Sequence, residues 1–170
     1  KVTTEYKLEW SPINPGYPIR VPVADVVEIG AGGGSIAWFD AADALHVGPQ
    51  SAGADPGPAS YGLGGEEPTV TDAKLLTGVL DPDYFAGGQI TLDVERARRA
   101  MQKIADGLKV EVEEAAIAVI RVIDANMINA LKLVSIQRGY DPRDFVLVAA
   151  GGGGAMHAAP LGRELGVKET

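Results

Sequence analysis

The feature that most constrains this chain is a cluster of four glycines and one serine between two apolar runs, Ile29-Gly30-Ala31-Gly32-Gly33-Gly34-Ser35-Ile36. Because glycine lacks a Cβ atom, it tolerates positive φ and lets successive backbone N–H groups point toward one place. Such a nest of N–H groups binds anions such as phosphate, and the Ser35 hydroxyl can donate to the same anion. Tight turns that bind nothing have a similar composition, so this segment alone leaves an anion site and a steric turn as alternatives.

A second glycine cluster near the C-terminus strengthens the anion-site interpretation. Residues 144–150 form an apolar run that predicts a buried strand, and this run leads into Gly151-Gly152-Gly153-Gly154 and a helix-prone segment. A strand, a glycine turn and a helix start commonly place backbone N–H groups against a nucleotide. We therefore expect the two clusters to form two walls of one ligand cleft. Neither contains the Gly-Lys-Ser/Thr of a P-loop, and the first lacks the third glycine of a dinucleotide-binding fingerprint.

The composition excludes several classes of function. The 170 residues suffice for one domain with its own core, carry a formal net charge of −8 and include no cysteine. We therefore expect no nucleic acid partner, no disulfide and no cysteine metal site. Arg121, Asp124 and Lys132 interrupt the longest apolar segment, so no membrane span is expected. No secretory signal opens the chain, and a cytoplasmic protein is the expectation.

The predicted element order is that of a mixed α/β domain. Proline-rich residues 1–22 predict an extended lead-in, and residues 23–170 are predicted to form one nucleotide-binding domain. The predicted strands are 23–29, 35–39, 44–47 and 144–150. Four helices are predicted: one that begins after Thr71 as its N-cap, one at 92–108, one at 111–137 and one that begins near Ala155. The first three strands predict an antiparallel meander with the first glycine cluster at a hairpin tip. A long ordered loop at 48–71 then leads to helices on both faces of a mixed sheet.

Asp72 is the carboxylate that the sequence singles out, because it follows the long loop rather than lying in a run of charges. An aspartate in the first turn of a helix also stabilises that helix by itself, so a structural role and a role at the site are alternatives. His46 and His157 do not have a metal-ligand spacing. His157 is predicted to pack or to form a hydrogen bond.

Three segments together resemble the hydantoinase A/oxoprolinase family. They are residues 29–37, residues 47–58 (Val-Gly-Pro-Gln-Ser-Ala-Gly-Ala-Asp-Pro-Gly-Pro) and residues 68–73 (Pro-Thr-Val-Thr-Asp-Ala), and the cluster at 151–159 occupies the place of the family's C-terminal glycine motif. The resemblance covers nearly the whole chain. It implies an α/β fold that is one ribonuclease-H-like half of an actin-like ATPase. It also implies a hydrolase that opens cyclic amides such as 5-oxoproline or hydantoin with ATP.

The resemblance also implies which residues act at the site. ATP and magnesium are the implied cofactors, with Asp72 and Asp25 as candidates for a catalytic or magnesium-binding carboxylate. The β- and γ-phosphates are expected near the first cluster, and the adenosine side near the second. The residues expected to bind ATP are Gly30, Gly32, Gly33, Gly34, Ser35, Gly151, Gly152, Gly153 and Gly154.

Two other functions stay open: a nucleotide-binding subunit of an acetone-carboxylase-like complex, and a non-catalytic ATP-binding module. Actin-like ATPases carry an Asp-x-Gly-Gly-Thr phosphate loop in their first half, and no such motif occurs in these 170 residues. We therefore expect an internal fragment that needs the remainder of its chain. The resemblance also implies a hydantoinase B-type partner subunit or domain. The 170 residues alone are expected to hydrolyse ATP negligibly.

Overall fold

The computed structural model describes residues 26–170, Pro22 and the backbone of the short strands at 2–3, 6–7, 18–19 and 23–24. These four strands are β1 (Val2–Thr3), β2 (Tyr6–Lys7), β3 (Pro18–Ile19) and β4 (Val23–Ala24). The first pairs antiparallel with the fourth, and the second with the third. The division into a lead-in at 1–22 and one domain at 23–170 stays a prediction.

A hairpin of two longer strands follows the first glycine cluster. It consists of β5 (Ser35–Phe39) and β6 (Leu45–Ser51), with Ala37 opposite Val47. The carboxylate of Asp40 closes the turn, because its Oδ1 accepts from the N–H groups of Ala42 and Ala44 at 2.9 and 3.0 Å. The second strand runs on to Ser51, so the start of the predicted loop at 48–71 belongs to the sheet.

The predicted three-strand meander is wrong. Strand β4 pairs with β1 and not with β5, and residues 26–30 form no strand. The first glycine cluster therefore joins two strands that do not pair, and it is not a hairpin tip. Each sheet among the described residues has two strands, so the structure shows a mixed α/β chain while the ribonuclease-H-like and actin-like assignment stays a prediction.

Four α-helices account for most of the regular structure. They are α1 (Val70–Leu76), α2 (Val94–Leu108), α3 (Val112–Val134) and α4 (Gly151–Leu165), with short 3₁₀ turns at 59–61, 86–88, 136–138 and 142–144. Helices α2 and α3 confirm the helices predicted at 92–108 and 111–137, with ends that differ by a few residues at most. The predicted starts of the other two are wrong: Thr69 rather than Thr71 caps α1, and α4 begins at Gly151 rather than near Ala155.

The core lies where α1, α2 and α3 pack on one another, with the third helix also contacting β6 and α4. Alanines on the facing sides of the second and third helices allow their close approach. The larger buried side chains of the core are Val47, Val70, Met101, Ile104, Val119 and Ile123. None of the helices that the structure describes is long and apolar enough to cross a membrane.

The predicted strand at 144–150 is also wrong. Residues 142–144 form a 3₁₀ turn, and the segment after it makes only an isolated parallel bridge from Val146 to Glu169. A strand needs a neighbour that takes up its backbone hydrogen bonds, and here the chain end at 168–169 supplies one short neighbour on one side. The apolar side chains of Val146 and Val148 are consequently exposed, by 55% and 81%.

Candidate functional site

The two glycine clusters are far apart in the sequence but lie side by side in the fold. A Cβ atom placed on Gly153 would lie 3.8 Å from the backbone nitrogen of Gly33. The first cluster enters from the turn before β5, and the second forms the first turn of α4. The chain therefore brings together the two segments that the sequence predicts to be walls of one cleft.

Both clusters present backbone N–H groups that have no acceptor among the described residues. Within the part of the chain that the structure describes, the N–H groups of Gly33 and Gly34 donate no hydrogen bond. The first four N–H groups of a helix have no partner inside it, and Ala150 at the N-cap of α4 supplies no side-chain acceptor. The first residue of that helix, Gly151, has φ +73°, a conformation that favours glycine.

The electrostatics of this junction favour an anion. The N-terminus of a helix carries a partial positive charge, and its N–H groups point along the axis toward any bound anion. A Cβ atom on Gly32 or on Gly152 would meet no atom within 4 Å. Space is therefore open on both sides of the junction, next to the donors.

The Ser35 hydroxyl forms hydrogen bonds within the first glycine cluster. Its Oγ accepts from the Gly32 N–H at 3.0 Å and donates to the Gly30 carbonyl at 3.4 Å, and the residue is buried. The hydroxyl therefore closes the glycine turn from inside. The same contact occupies the N–H of Gly32, which leaves Gly33 and Gly34 as the donors of this cluster.

Helix α1 holds the first cluster in place. The backbone N–H of Thr71 and its hydroxyl both donate to the carbonyl oxygen of Gly33, at 2.8 and 2.9 Å. A Cβ atom on Gly33 would lie 2.7 Å from the Thr71 Oγ1, closer than side-chain atoms normally approach. Position 33 therefore requires glycine in this packing.

Asp72 serves the start of the same helix. Its Oδ1 accepts from the Ser60 N–H at 2.9 Å, and its Oδ2 accepts from the N–H and the hydroxyl of Thr69 at 3.0 and 2.7 Å. Thr69 in turn accepts from the Asp72 N–H, which completes a capping box. The carboxylate is fully buried with three donors, and this geometry favours the structural alternative over a role as a magnesium ligand.

A buried group of charged and polar side chains lies beneath the second cluster. Lys74 on α1 is 3% exposed, and its Nζ donates to the carbonyl oxygen of Met156 at 2.8 Å. Burial lowers the pKa of this ammonium group, and the carboxylate of Asp124 opposes that shift. Asp124 on α3 also forms a hydrogen-bonded pair with Nδ1 of His157, whose ring is fully buried. The Nε2 of His157 has no partner among the described residues.

The described residues do not offer a ready magnesium site. They include no group of three or more His, Asp or Glu side chains placed to hold a metal ion, and Asp72 is buried and accepts three hydrogen bonds. Asp25 lies outside the described residues. The uncommitted N–H groups, by contrast, fit the phosphates of ATP.

Lys74 and Asp124 are parts of this site that the sequence did not predict. Lys74 reaches across 82 residues to Met156, and no local pattern reports such a contact. The sequence feature that could have indicated it is Pro160. In a helix that starts at Gly151 this proline lies inside the helix, and because it has no N–H it cannot donate to the carbonyl oxygen of Met156. The expectation that His157 forms a hydrogen bond is confirmed by its contact with Asp124.

Comparison with known proteins shows which proteins this chain resembles in fold and in sequence. The ATP-dependent caprolactamase from Pseudomonas jessenii has a crystal structure that matches 91% of this chain with a TM-score of 0.83 and 49% identity. A nucleotide-free acetone carboxylase structure matches 89% of the chain with a TM-score of 0.81 and 34% identity. 5-Oxoprolinase 1 of Arabidopsis thaliana is 34% identical over an alignment that covers 91% of this chain.

The chain corresponds to a part of each of these proteins. It spans 22% of the caprolactamase chain, 22% of the acetone carboxylase chain and 13% of the oxoprolinase. A sequence model described as hydantoinase/oxoprolinase matches residues 1–170. The chain therefore belongs to the hydantoinase/oxoprolinase family.

Proposed function

We propose that the two glycine clusters bind the phosphates of ATP in an enzyme that opens cyclic amides. The observation that carries this proposal is the proximity of Gly153 to Gly33, because it brings two sets of uncommitted N–H groups close together. Phosphate oxygens accept such bonds without any basic side chain. That suits a chain with a formal net charge of −8.

The second cluster is better suited to a phosphate than to adenosine. Gly152, Gly153 and Gly154 lie in the first turn of a 15-residue helix, where the N–H groups and the helix dipole attract negative charge. We therefore assign Gly33 and Gly34 to one face of the phosphate chain and the helix start to another. Gly30, Gly32 and Ser35 shape the first turn, and Gly151 starts the helix.

The proposed reaction is hydrolysis of a lactam or hydantoin ring. The terminal phosphoryl group of ATP passes to the amide oxygen, and a water molecule adds to the carbonyl carbon. The C–N bond then breaks, the nitrogen leaves as a protonated amine, and an acyl phosphate remains. A second water molecule hydrolyses this acyl phosphate to the carboxylate and inorganic phosphate. Catalysis of phosphoryl transfer is mostly positioning and charge stabilisation. The part of this chain is to hold the phosphates. Magnesium and the catalytic carboxylate are proposed to be supplied outside the described residues, with Asp25 still a candidate and Asp72 kept in its capping box.

The sharpest test is the substitution Gly153→Ala in the full-length protein. The added methyl group has room in the fold, since its nearest neighbour is the Gly33 nitrogen at 3.8 Å, and alanine favours a helix over glycine by up to about 1 kcal/mol. It would nevertheless stand between the two sets of donors. We expect unchanged or higher thermal stability and an affinity for ATP reduced roughly tenfold or more, which corresponds to about 1.4 kcal/mol, measured by calorimetric titration.

The matched control is Ala159→Ser, an exposed position on the same helix. It is expected to keep both stability and affinity. If the Gly153→Ala protein bound ATP as tightly as the unmodified protein, the phosphate assignment of this junction would be wrong.

The class of substrate is tested by ATP turnover of the full-length protein with 5-oxoproline, hydantoin and caprolactam. We predict that at least one of these cyclic amides stimulates turnover.

The similarity to an acetone carboxylase structure, with a TM-score of 0.81, favours a second candidate, the nucleotide-binding subunit of a carboxylase complex. Turnover that needs bicarbonate, a ketone and partner subunits would support this second function, and binding without stimulated turnover would indicate a non-catalytic module. In the first candidate a hydantoinase B-type partner is part of the proposal.

A further inference from the structure

Helix α4, which begins with the second glycine cluster, lacks one backbone hydrogen bond close to the proposed site. In an α-helix the carbonyl of residue 156 accepts from the N–H of residue 160. Residue 160 of α4 is proline, which has no N–H. The carbonyl oxygen of Met156 has therefore lost its normal donor, one turn after the glycines.

Lys74 supplies a donor at that point. Its Nζ lies 2.8 Å from the Met156 oxygen, and its side chain is almost completely buried on α1. Burying an ammonium group is unfavourable unless it is hydrogen-bonded and near an opposite charge. The Met156 carbonyl provides the first condition and the Asp124 carboxylate provides the second.

Helix α1 therefore forms hydrogen bonds both with the first glycine cluster and with the helix that begins with the second. At its start, Thr71 donates twice to the Gly33 carbonyl. One turn later, Lys74 donates to Met156 in the helix that begins with the second cluster. The distance between the two sets of N–H groups is thereby set by one rigid element rather than by two independent loops.

We infer that Lys74 is a positioning residue whose ammonium group replaces the backbone N–H missing at Pro160 and so fixes the glycine start of α4 against Gly33. Its effect on nucleotide affinity rests on the proposed function, whereas its effect on the helix does not. This inference makes a reciprocal prediction: a residue at position 160 that restores the N–H should make the lysine less necessary.

The test uses Lys74→Met, Pro160→Ala and the double variant in the full-length protein. Methionine keeps most of the length of the side chain without its charge, and Pro160 is exposed, so alanine there removes little packing. Hydrogen exchange of the amides at 155–159, which donate to the carbonyls of the first turn, is measured without nucleotide and reports the order of the helix start. Titration with ATP reports the site.

We expect Lys74→Met to speed exchange in this segment and to weaken ATP binding, each roughly tenfold or more, the size expected for a hydrogen bond from a charged donor. Pro160→Ala alone should resemble the unmodified protein. In the double variant the restored N–H should reverse most of the increase in exchange and part of the loss of affinity. The control Lys103→Met removes an exposed ammonium that contacts Glu66 and Glu67, and it should change neither readout.

Equal exchange rates in Lys74→Met and the double variant would overturn the inference, because the missing N–H would then be irrelevant to the role of the lysine. Unchanged exchange in Lys74→Met would overturn it as well. If the unmodified protein failed to bind ATP, the proposed function would fall, and the exchange data would still decide the role of Lys74.

Discussion

The carbonyl oxygen of Gly33 shows how single contacts shape the proposed site. It accepts both hydrogen bonds from Thr71, and these fix the backbone of the first glycine cluster next to the start of α4. A carbonyl oxygen has two lone pairs, and here both are used. A glycine turn, which is flexible by itself, is in this way held in one conformation before any ligand arrives.

Replacing Thr71 with valine should expose the importance of this contact. The substitution keeps the shape and removes the hydroxyl, so one buried hydrogen bond is lost at a cost of about 1 kcal/mol. We expect the free energy of unfolding, measured with urea, to fall by that amount and ATP affinity to fall several-fold. The variant Thr71→Ser keeps the hydroxyl and should therefore keep both the stability and the ATP affinity of the unmodified protein.

The control for this experiment is Thr77→Val at the C-terminal end of the same helix. The Thr77 hydroxyl donates to carbonyls of its own helix, those of Ala73 and Lys74, and does not touch the glycine clusters. It should lose stability without losing affinity. Equal losses of affinity in the two variants would show that general destabilisation, and not the Gly33 contact, is responsible.

At the scale of elements, α1 is a helix of seven residues that depends on its cap. Short helices gain little stability from their own hydrogen bonds. The capping box between Thr69 and Asp72, extended by the Ser60 N–H, satisfies donors that would otherwise be buried without partners. The helix can then present Thr71 and Lys74 to the two clusters.

The substitution Asp72→Asn separates the structural role of this carboxylate from a metal-binding role. In asparagine an NH₂ group would replace one of the two oxygens that accept hydrogen bonds from Ser60 and Thr69, and an NH₂ group cannot accept them. We therefore expect a loss of about 2–3 kcal/mol in the free energy of unfolding, measured with urea. Asp93→Asn, at the exposed N-cap of α2, should cost little because asparagine caps equally well. Normal stability of Asp72→Asn together with loss of magnesium-dependent turnover would instead identify Asp72 as a metal ligand.

The elements that the sequence predicts correctly are those whose pattern is local. The periodic apolar positions of α2 and α3 bury their own faces, and the hairpin of β5 and β6 is closed by the turn at Asp40. The run at 144–150 has a strand-like sequence, yet strand formation depends on a neighbour that local pattern does not report. Asp72 is correctly singled out as unusual, but its three donors come from a cap that only the structure reveals. The contact of Lys74 with Met156 joins residues 82 positions apart, which is out of reach for any window-based prediction.

At the scale of the whole molecule, an acidic chain of 170 residues places two glycine clusters from opposite ends of its sequence at one point. It spans about a fifth or less of the relatives that it matches. Apolar side chains such as Val26, Val146 and Val148, which precede the clusters in the sequence, remain exposed. We propose that the described residues form one side of the nucleotide site, and the expectation that these 170 residues alone hydrolyse ATP negligibly stays a prediction.

A crystal structure of the full-length protein with a non-hydrolysable ATP analogue tests the central claim most directly. We predict that phosphate oxygens lie within hydrogen-bonding distance of the N–H groups of Gly33 or Gly34 and, in the same complex, of the N–H groups at the start of α4. A nucleotide whose phosphates lie away from either cluster, with those N–H groups bound to water, would contradict it.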